Sequence, residues 1–215
     1  MARVRTHRDG CGIAHASDLL GQRWALLVVR ELLLGPKRFT DLRAGIPDLS
    51  PNVLAQRLRE LIETGIVRKR ELPPPAAARV YELTEWGSGL EPVLLVLGRW
   101  ATESPSFPRN AEMGPDSLVL ALKSTFDPAA VKGLRGNYAL VLDGLPYSIR
   151  VEDGDFHARR GEPDRPDAVI RSSPQALRGI VFRGWPLVQS LRSGDIRIEG
   201  DARAAERFLR TLAGR

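Results

Sequence analysis

The 215-residue chain has one cysteine, Cys11, with three histidines and two methionines. A single thiol excludes an intramolecular disulfide framework, and the expected compartment is the reducing cytoplasm. His7, Cys11 and His15 share a helical spacing, but Gly10 and Gly12 interrupt any helix there, so no metal is expected. Apolar runs are short, broken by Arg, Glu or Gly before they approach the ~18 residues of a membrane span, and no membrane partner is expected. The opening MARVRTHRDG is basic but leads into no apolar core, so no signal peptide is expected. No glycine-rich phosphate loop follows a strand, and no Ser/His/Asp motif context is present. Neither enzymatic activity nor a cofactor is therefore expected.

What the chain does have is basic charge. The formal net charge is +6 and the isoelectric point about 10.1, which suits a polyanionic partner. Both halves carry +3, divided at residue 103, so net charge does not say which half meets such a partner. The composition breaks at ESPSFPRNAEMGP, residues 103–115, where three prolines and two serines replace apolar periodicity. That segment reads as a linker between a first domain, 1–102, and a second, 116–215. The overall expectation is α+β.

The first domain is mainly helical. From Ala14 to Leu34 a dense apolar pattern (Leu19, Leu20, Trp24, Leu27, Val28, Leu32) runs to a stop at Gly35-Pro36. A short helix over Phe39–Ala44 closes at Gly45 and the Pro47-Asp48 turn. Ser50-Pro51 then opens another, with Ser as N-cap and Pro in the first turn, running to Thr64-Gly65. IVRKREL and ARVYELT follow as two strands whose tip is PPPAA, since consecutive prolines cannot donate ladder hydrogen bonds. A last helix spans Trp86 to Ala101, with Pro92 near its start. Helix, helix, recognition helix and two-stranded wing make a winged helix-turn-helix.

On a helical wheel, Leu54, Leu58, Leu61 and Ile62 form the buried face of residues 50–64. Asn52, Gln56, Arg59 and Glu63 lie opposite, with Arg57 on a flank. Asn and Gln make bidentate bonds to adenine, and Arg to guanine or phosphate. Recognition helices present their N-terminal residues to base edges, which favours Ser50, Asn52 and Gln56. On the wing, Arg68, Lys69 and Arg70, with Arg79 on the return strand, suit phosphate and minor-groove contact, as does Arg38 before the turn. An ordinary amphipathic helix has the same polar face; the short helix before it and the basic hairpin after it favour double-stranded DNA as the partner.

Residues 11–100 resemble the HxlR-type winged-helix transcriptional regulators. The resemblance runs through Cys11, Arg23-Trp24 after Gly21, Gly35 with Arg38-Phe39, Leu42, Leu49-Ser50-Pro51 and Leu54. It continues through Arg57-Leu58, Leu61, Gly65-Ile66-Val67, Arg70, Tyr81, Leu83-Thr84 and Gly87. It departs at Gly12, where the family usually has proline, and at Gln22, where it has a second glycine. The resemblance implies a homodimer on an inverted-repeat operator, joined through terminal helices. In some regulators of this type a cysteine at the place of Cys11 senses oxidants or electrophiles. Here His7, Arg8 and His15 are the cations that would lower its pKa, and an unreactive, semi-buried cysteine is the alternative.

Beyond the linker, an apolar helix (117–126) precedes three strands in GNYALVLDGLPYSIRVEDGDFHARRG, turned at Asp143-Gly144 and Asp153-Gly154. AVIRSS and DIRIEG supply two more strands, with helices in PQALRGIVF, PLVQSLRS and AERFLRTL. The expected architecture is an antiparallel sheet of about five strands on a helical layer. Residues 116–213 are similar to the sterol carrier protein-like domain, in the LVLDG and IRVEDG hairpins, DAVIRSSPQALRGIV and GDIRIEGDARAAERFL. The likeness implies an apolar or lipid-like small molecule between sheet and helices. Strand phase and helix face select Tyr138, Leu140, Ile149, Val151, Phe156, Trp185, Leu187, Val188 and Leu191 as its lining; plain core is the competing use of such residues. Three functions remain open: a ligand-responsive DNA-binding regulator, a regulator whose second domain only dimerises or recruits a protein, and a lipid carrier with a vestigial helix-turn-helix.

Overall fold

The structure, a computed structural model, describes residues 7–74, 77–131 and 133–213. The chain packs as two units that divide between Leu94 and Leu95. The first contains α1 (Gly12–Leu20), α2 (Ala25–Leu32), α3 (Phe39–Gly45), α4 (Pro51–Glu63), β1 (Val67–Glu71), β2 (Arg79–Leu83), α5 (Glu85–Ser88) and the start of α6 (Leu90–Thr102). The helical pattern from Ala14 to Leu34 is thus two helices rather than one. The Gly21 N–H donates to Ser17 O at 2.8 Å, leaving no room for a Cβ. Trp24 then takes the left-handed conformation (φ 78°), which turns the chain before α2. Pro92 falls in the first turn of α6, where its missing N–H leaves no bond unmade.

Helix α4 starts as its sequence directs: the Ser50 hydroxyl accepts from the Val53 N–H at 3.4 Å, and Pro51 holds the first helical position. Its face of Leu54, Leu58 and Leu61 packs into a core with Val28, Val29 and Leu32 of α2, Leu42 of α3, and Ile46, Leu49, Ile66 and Val67. Burying each such side chain stabilises the fold by roughly 1.5–3 kcal/mol. The wing pairs antiparallel, with Arg68 opposite Glu82 and Lys69 opposite Tyr81. Pro75 and Ala76, in the expected proline tip, lie outside the described residues. Lys37 adds a third, short strand position by exchanging backbone bonds with Tyr81 at 2.9 and 2.8 Å. Near it the buried Glu31 carboxylate accepts from Arg30 at 2.8 Å and pairs with Lys37. A Cβ at Gly45 would collide with that carboxylate, so α3 approaches α2 as closely as it does because residue 45 has no side chain.

The second unit comprises α7 (Pro115–Thr125), β3 (Gly136–Leu142), β4 (Leu145–Glu152), β5 (Asp155–Arg160), β6 (Ala168–Ser172), α8 (Pro174–Arg183), α9 (Leu187–Ser193), β7 (Ile196–Gly200) and α10 (Ala202–Ala213). The five strands lie in the order β5-β4-β3-β6-β7. Asp143-Gly144 (φ 49° and 82°) and Asp153-Gly154 (φ 52° and 91°) turn the two hairpins, with both central residues left-handed. One pairing departs from the antiparallel expectation: β6 runs parallel to β3, so the sheet is mixed. Side-chain alternation carries no direction. The direction comes from the crossover after β5, which returns across the sheet before β6 begins.

Helices cover one face of this sheet. Tyr138 stacks on Phe208 of α10 with centroids 4.4 Å apart, and Phe156 meets Phe126 at 5.1 Å. On the same face Asp116, in the first turn of α7, accepts from the Tyr147 hydroxyl at 2.6 Å and from Arg160 at 2.7 Å. The expected linker packs with this unit rather than hanging free. Arg178 donates to the carbonyls of Arg109 (2.5 Å) and Ala111, and Arg183 to that of Arg109 (3.0 Å).

The Asp116 cluster is the main polar tie between α7 and the sheet. Asp116→Ala is expected to lower unfolding free energy by about 3 kcal/mol, because it strands a partly buried guanidinium. Tyr147→Phe, which removes one bond to a charged group, is expected to cost about 1.5 kcal/mol. Urea unfolding of the full chain measures both; equal stability of Asp116→Ala and wild type would refute the tie.

Candidate nucleic-acid interface

The apolar face of α4 is spent on the core, so its opposite edge faces outward. Asn52 and Arg59 are exposed there and make no hydrogen bond or ion pair with the described residues. Ser50 is occupied as the cap, with its hydroxyl turned to Val53. Gln56 is half-buried and donates to Glu60 at 3.0 Å, so contact with a base requires it to let that carboxylate go. Arg57 is placed differently from expectation. It is 8% exposed, and its guanidinium pairs with Glu60 instead of standing exposed on the flank of the helix. The wheel puts its Cα near the arc of Leu54 and Leu61, and the aliphatic stem follows that arc into the protein.

The wing is less basic than its sequence. Arg68 and Arg70 share the Glu82 carboxylate at 2.7 and 3.0 Å, and Arg79 pairs with Glu71 at 2.9 Å. Lys69 lies on the other strand phase, its ammonium 5.8 Å from the Tyr81 ring centroid. What remains for a phosphate is the Lys69 charge and one uncompensated charge of the Arg68–Arg70 pair. These neutralising contacts are cross-strand, and only the register reveals them. Arg38 is exposed at the start of α3.

Cys11 is exposed and is the N-cap residue of α1. The thiol is held below its ordinary pKa by the backbone N–H of Ala14 and then that of Ile13. The expected cations take no part. The His7 ring instead pairs with Asp18, and its backbone N–H donates to both oxygens of that carboxylate at 3.2 Å. No group of three or more His, Cys, Asp or Glu side chains suited to a metal occurs among the described residues.

In the second unit Tyr138, Leu140, Ile149, Val151 and Phe156 are buried on the helix-covered side of the sheet, Leu187 is buried on α9, and Leu191 is half-buried. Trp185 and Val188 lie outside that group, 42% and 47% exposed. Trp185 lies over Gly179 so closely that no Cβ fits there, while α9 buries Leu187 and Ser190.

Residues 19–106 match the HxlR-like helix-turn-helix family, and residues 118–213 the SCP-2 sterol transfer family. The chain is 42% identical over 94 residues to the uncharacterized HTH-type transcriptional regulator YvaP of Bacillus subtilis, covering 43% of this chain and 87% of YvaP. It is 40% identical over 88 residues to the HTH-type transcriptional regulator YodB of the same organism, covering 41% of this chain and 79% of YodB. The solved structure of reduced YodB aligns at 36% identity and a TM-score of 0.40, over 45% of this chain and 95% of that one.

The position of Cys11 generates a chemical prediction. Its alkylation by iodoacetamide, followed against pH by mass spectrometry, is expected to have a midpoint below that of an unstructured cysteine peptide. A midpoint equal to the peptide's would show that the α1 amides do not reach the thiolate. His15→Ala is expected to leave the midpoint in place.

Proposed function

The chain belongs to the HxlR-like helix-turn-helix family, and on that premise we propose that it regulates transcription as a homodimer on an inverted-repeat DNA operator. The carrying observation is the outward edge of α4, where Asn52 and Arg59 stand without partners among the described residues beside a wing of net positive charge. Asn52 reads a base edge, with Gln56 joining once it releases Glu60; Arg59, Lys69 and the Arg68–Arg70 pair hold phosphates. Dimerisation has its own support. Val93, Val96, Leu97 and Trp100 form a stripe along α6 at helical spacing, all exposed, Trp100 by 69%. An apolar groove of about 300 Å³ lined by Leu19, Leu20, Ile66, Trp86 and Leu90 lies in the first unit. A second copy covers such surfaces by the symmetry of a twofold interface. Neither unit is assigned a catalytic role. Cys11, exposed and lowered in pKa, is the candidate for sensing oxidants through the state of α1.

The match of residues 118–213 to a sterol transfer family supports an apolar ligand for the second unit. Its aromatic interior is packed by Tyr138, Phe156 and Phe208, so such a ligand must displace α10 from the sheet. For the ligand to regulate, it must bind DNA-competent and DNA-incompetent forms unequally. If a fluorescent fatty-acyl probe fails to bind the full chain, dimerisation or protein recruitment becomes the role of this unit.

Operator binding tests the main reading. Asn52→Ala is expected to weaken specific binding by about 1–3 kcal/mol and to spare binding to unrelated duplex. Lys69→Ala is expected to weaken both and reduce the salt slope by about 1. Val96→Asp is expected to shift the sedimentation coefficient toward a monomer. A footprint of Asn52→Ala identical to wild type would refute the assigned face.

A further inference from the structure

Helices cover one face of the five-stranded sheet; the opposite face holds a concavity of about 470 Å³. Its floor and sides come from strand register. Ser148 lies opposite Arg159, and Arg150 lies opposite both His157 and Asn137. Directly opposed residues have Cβ atoms about 5 Å apart, so the two arginines and the histidine surround Ser148 within reach of one small ligand. The crossover from β5 to β6 supplies the remaining wall through Pro163 and Asp164. Asn137 holds it in place, donating from its side chain to Asp164 O at 2.8 Å and Arg165 O at 3.3 Å.

Three observations mark this as more than a solvated sheet face. Ser148 is 8% exposed, yet its hydroxyl lines the concavity with no hydrogen-bond partner among the described residues. Arg150, His157 and Arg159 likewise have no ion pair or hydrogen bond there, whereas Arg135, Arg160 and Arg171 of the same unit each hold a carboxylate. The volume lies within the range of small-molecule sites and exceeds what a bare phosphate fills.

We propose that this outer-face concavity binds a small phosphate monoester. Arg150 and Arg159 meet the phosphate oxygens with their planar forks, and the Ser148 hydroxyl donates from below. Asp164, the one carboxylate in the lining, accepts from a hydroxyl or amine of the organic part. The site is separate from the apolar interior, on the opposite side of the same strands, and does not depend on the DNA-binding reading.

The test uses the full chain and phenyl phosphate as probe, titrated by calorimetry at low salt, with phenol and inorganic phosphate as comparisons. Saturable binding of phenyl phosphate is expected, at least tenfold tighter than of phenol and tighter than of inorganic phosphate. Arg150→Gln and Arg159→Gln are each expected to weaken it tenfold or more, and Ser148→Ala several-fold. Arg197→Gln, on the same face but outside the concavity, is expected to leave it unchanged. Thermal melts check folding; if Arg150→Gln unfolds, Arg150→Lys is expected to keep the fold and still lose several-fold. Absence of saturable binding overturns the proposal, as does equal binding by wild type and all variants. Loss of duplex DNA affinity in the arginine variants, without any phenyl phosphate binding, would assign the face to nucleic-acid backbone and overturn it too.

Discussion

Burial of Leu54, Leu58 and Leu61 against α2 and α3 is the constraint on which the first unit depends. Once that face of α4 is committed to the core, the helix cannot rotate about its axis without exposing three leucines, and Asn52 and Arg59 are held outward. The same commitment carries Arg57 inward, because its Cα sits close to the leucine arc and its aliphatic stem has nowhere else to lie. The turn before α3, and the seat of α3 itself, are fixed by a different force. The buried Glu31 carboxylate needs Arg30 and Lys37, and the tight approach of Gly45 lets α3 close over it. Lys37 then bonds to Tyr81 through the backbone, so one ionic cluster joins α2, the turn and the wing.

The second unit solves its packing by making the two faces of one sheet unlike each other. Even-numbered positions of β3 and odd-numbered positions of β4 bury Tyr138, Leu140, Tyr147 and Ile149 under the helices, with Asp116 and Arg160 sealing one end. The alternate positions carry Asn137, Ser148 and Arg150, which helices do not cover. A period of two residues therefore yields an apolar interior and a polar, charged exterior from the same strands. The crossover that makes β6 parallel to β3 also walls the exterior concavity, so topology and site arise from one connection.

Electrostatics in the two units follow different rules. On the wing, Glu82 and Glu71 tie up arginines that composition alone counts as free, leaving a weak, localised positive charge. The Arg79–Glu71 pair, exposed on both sides, contributes only about 0–1 kcal/mol and leaves Arg79 exchangeable with phosphate, whereas Glu82 is buried and holds its two arginines more firmly. On the outer sheet face Arg150, His157 and Arg159 form no ion pair among the described residues, whereas Arg135, Arg160 and Arg171 each hold a carboxylate.

The sequence by itself determined the elements with strong local signals. Ser50-Pro51 started α4, Asp-Gly pairs turned both hairpins, and leucine spacing chose the buried face of α4, because each depends on residues within a turn or two of one another. The order of helices and wing, the five strands of the second unit and the family resemblance were legible for the same reason. Tertiary structure decided what depends on residues far apart in the chain. The parallel β3–β6 pairing, the break at Gly21, the capture of the 109–111 carbonyls by α8 and the sharing of Glu82 leave no periodic trace. The same holds for Trp185 and Val188, whose apolar character suited an interior they do not enter: hydrophobicity states a preference for burial, and the backbone path decides which side chains can act on it.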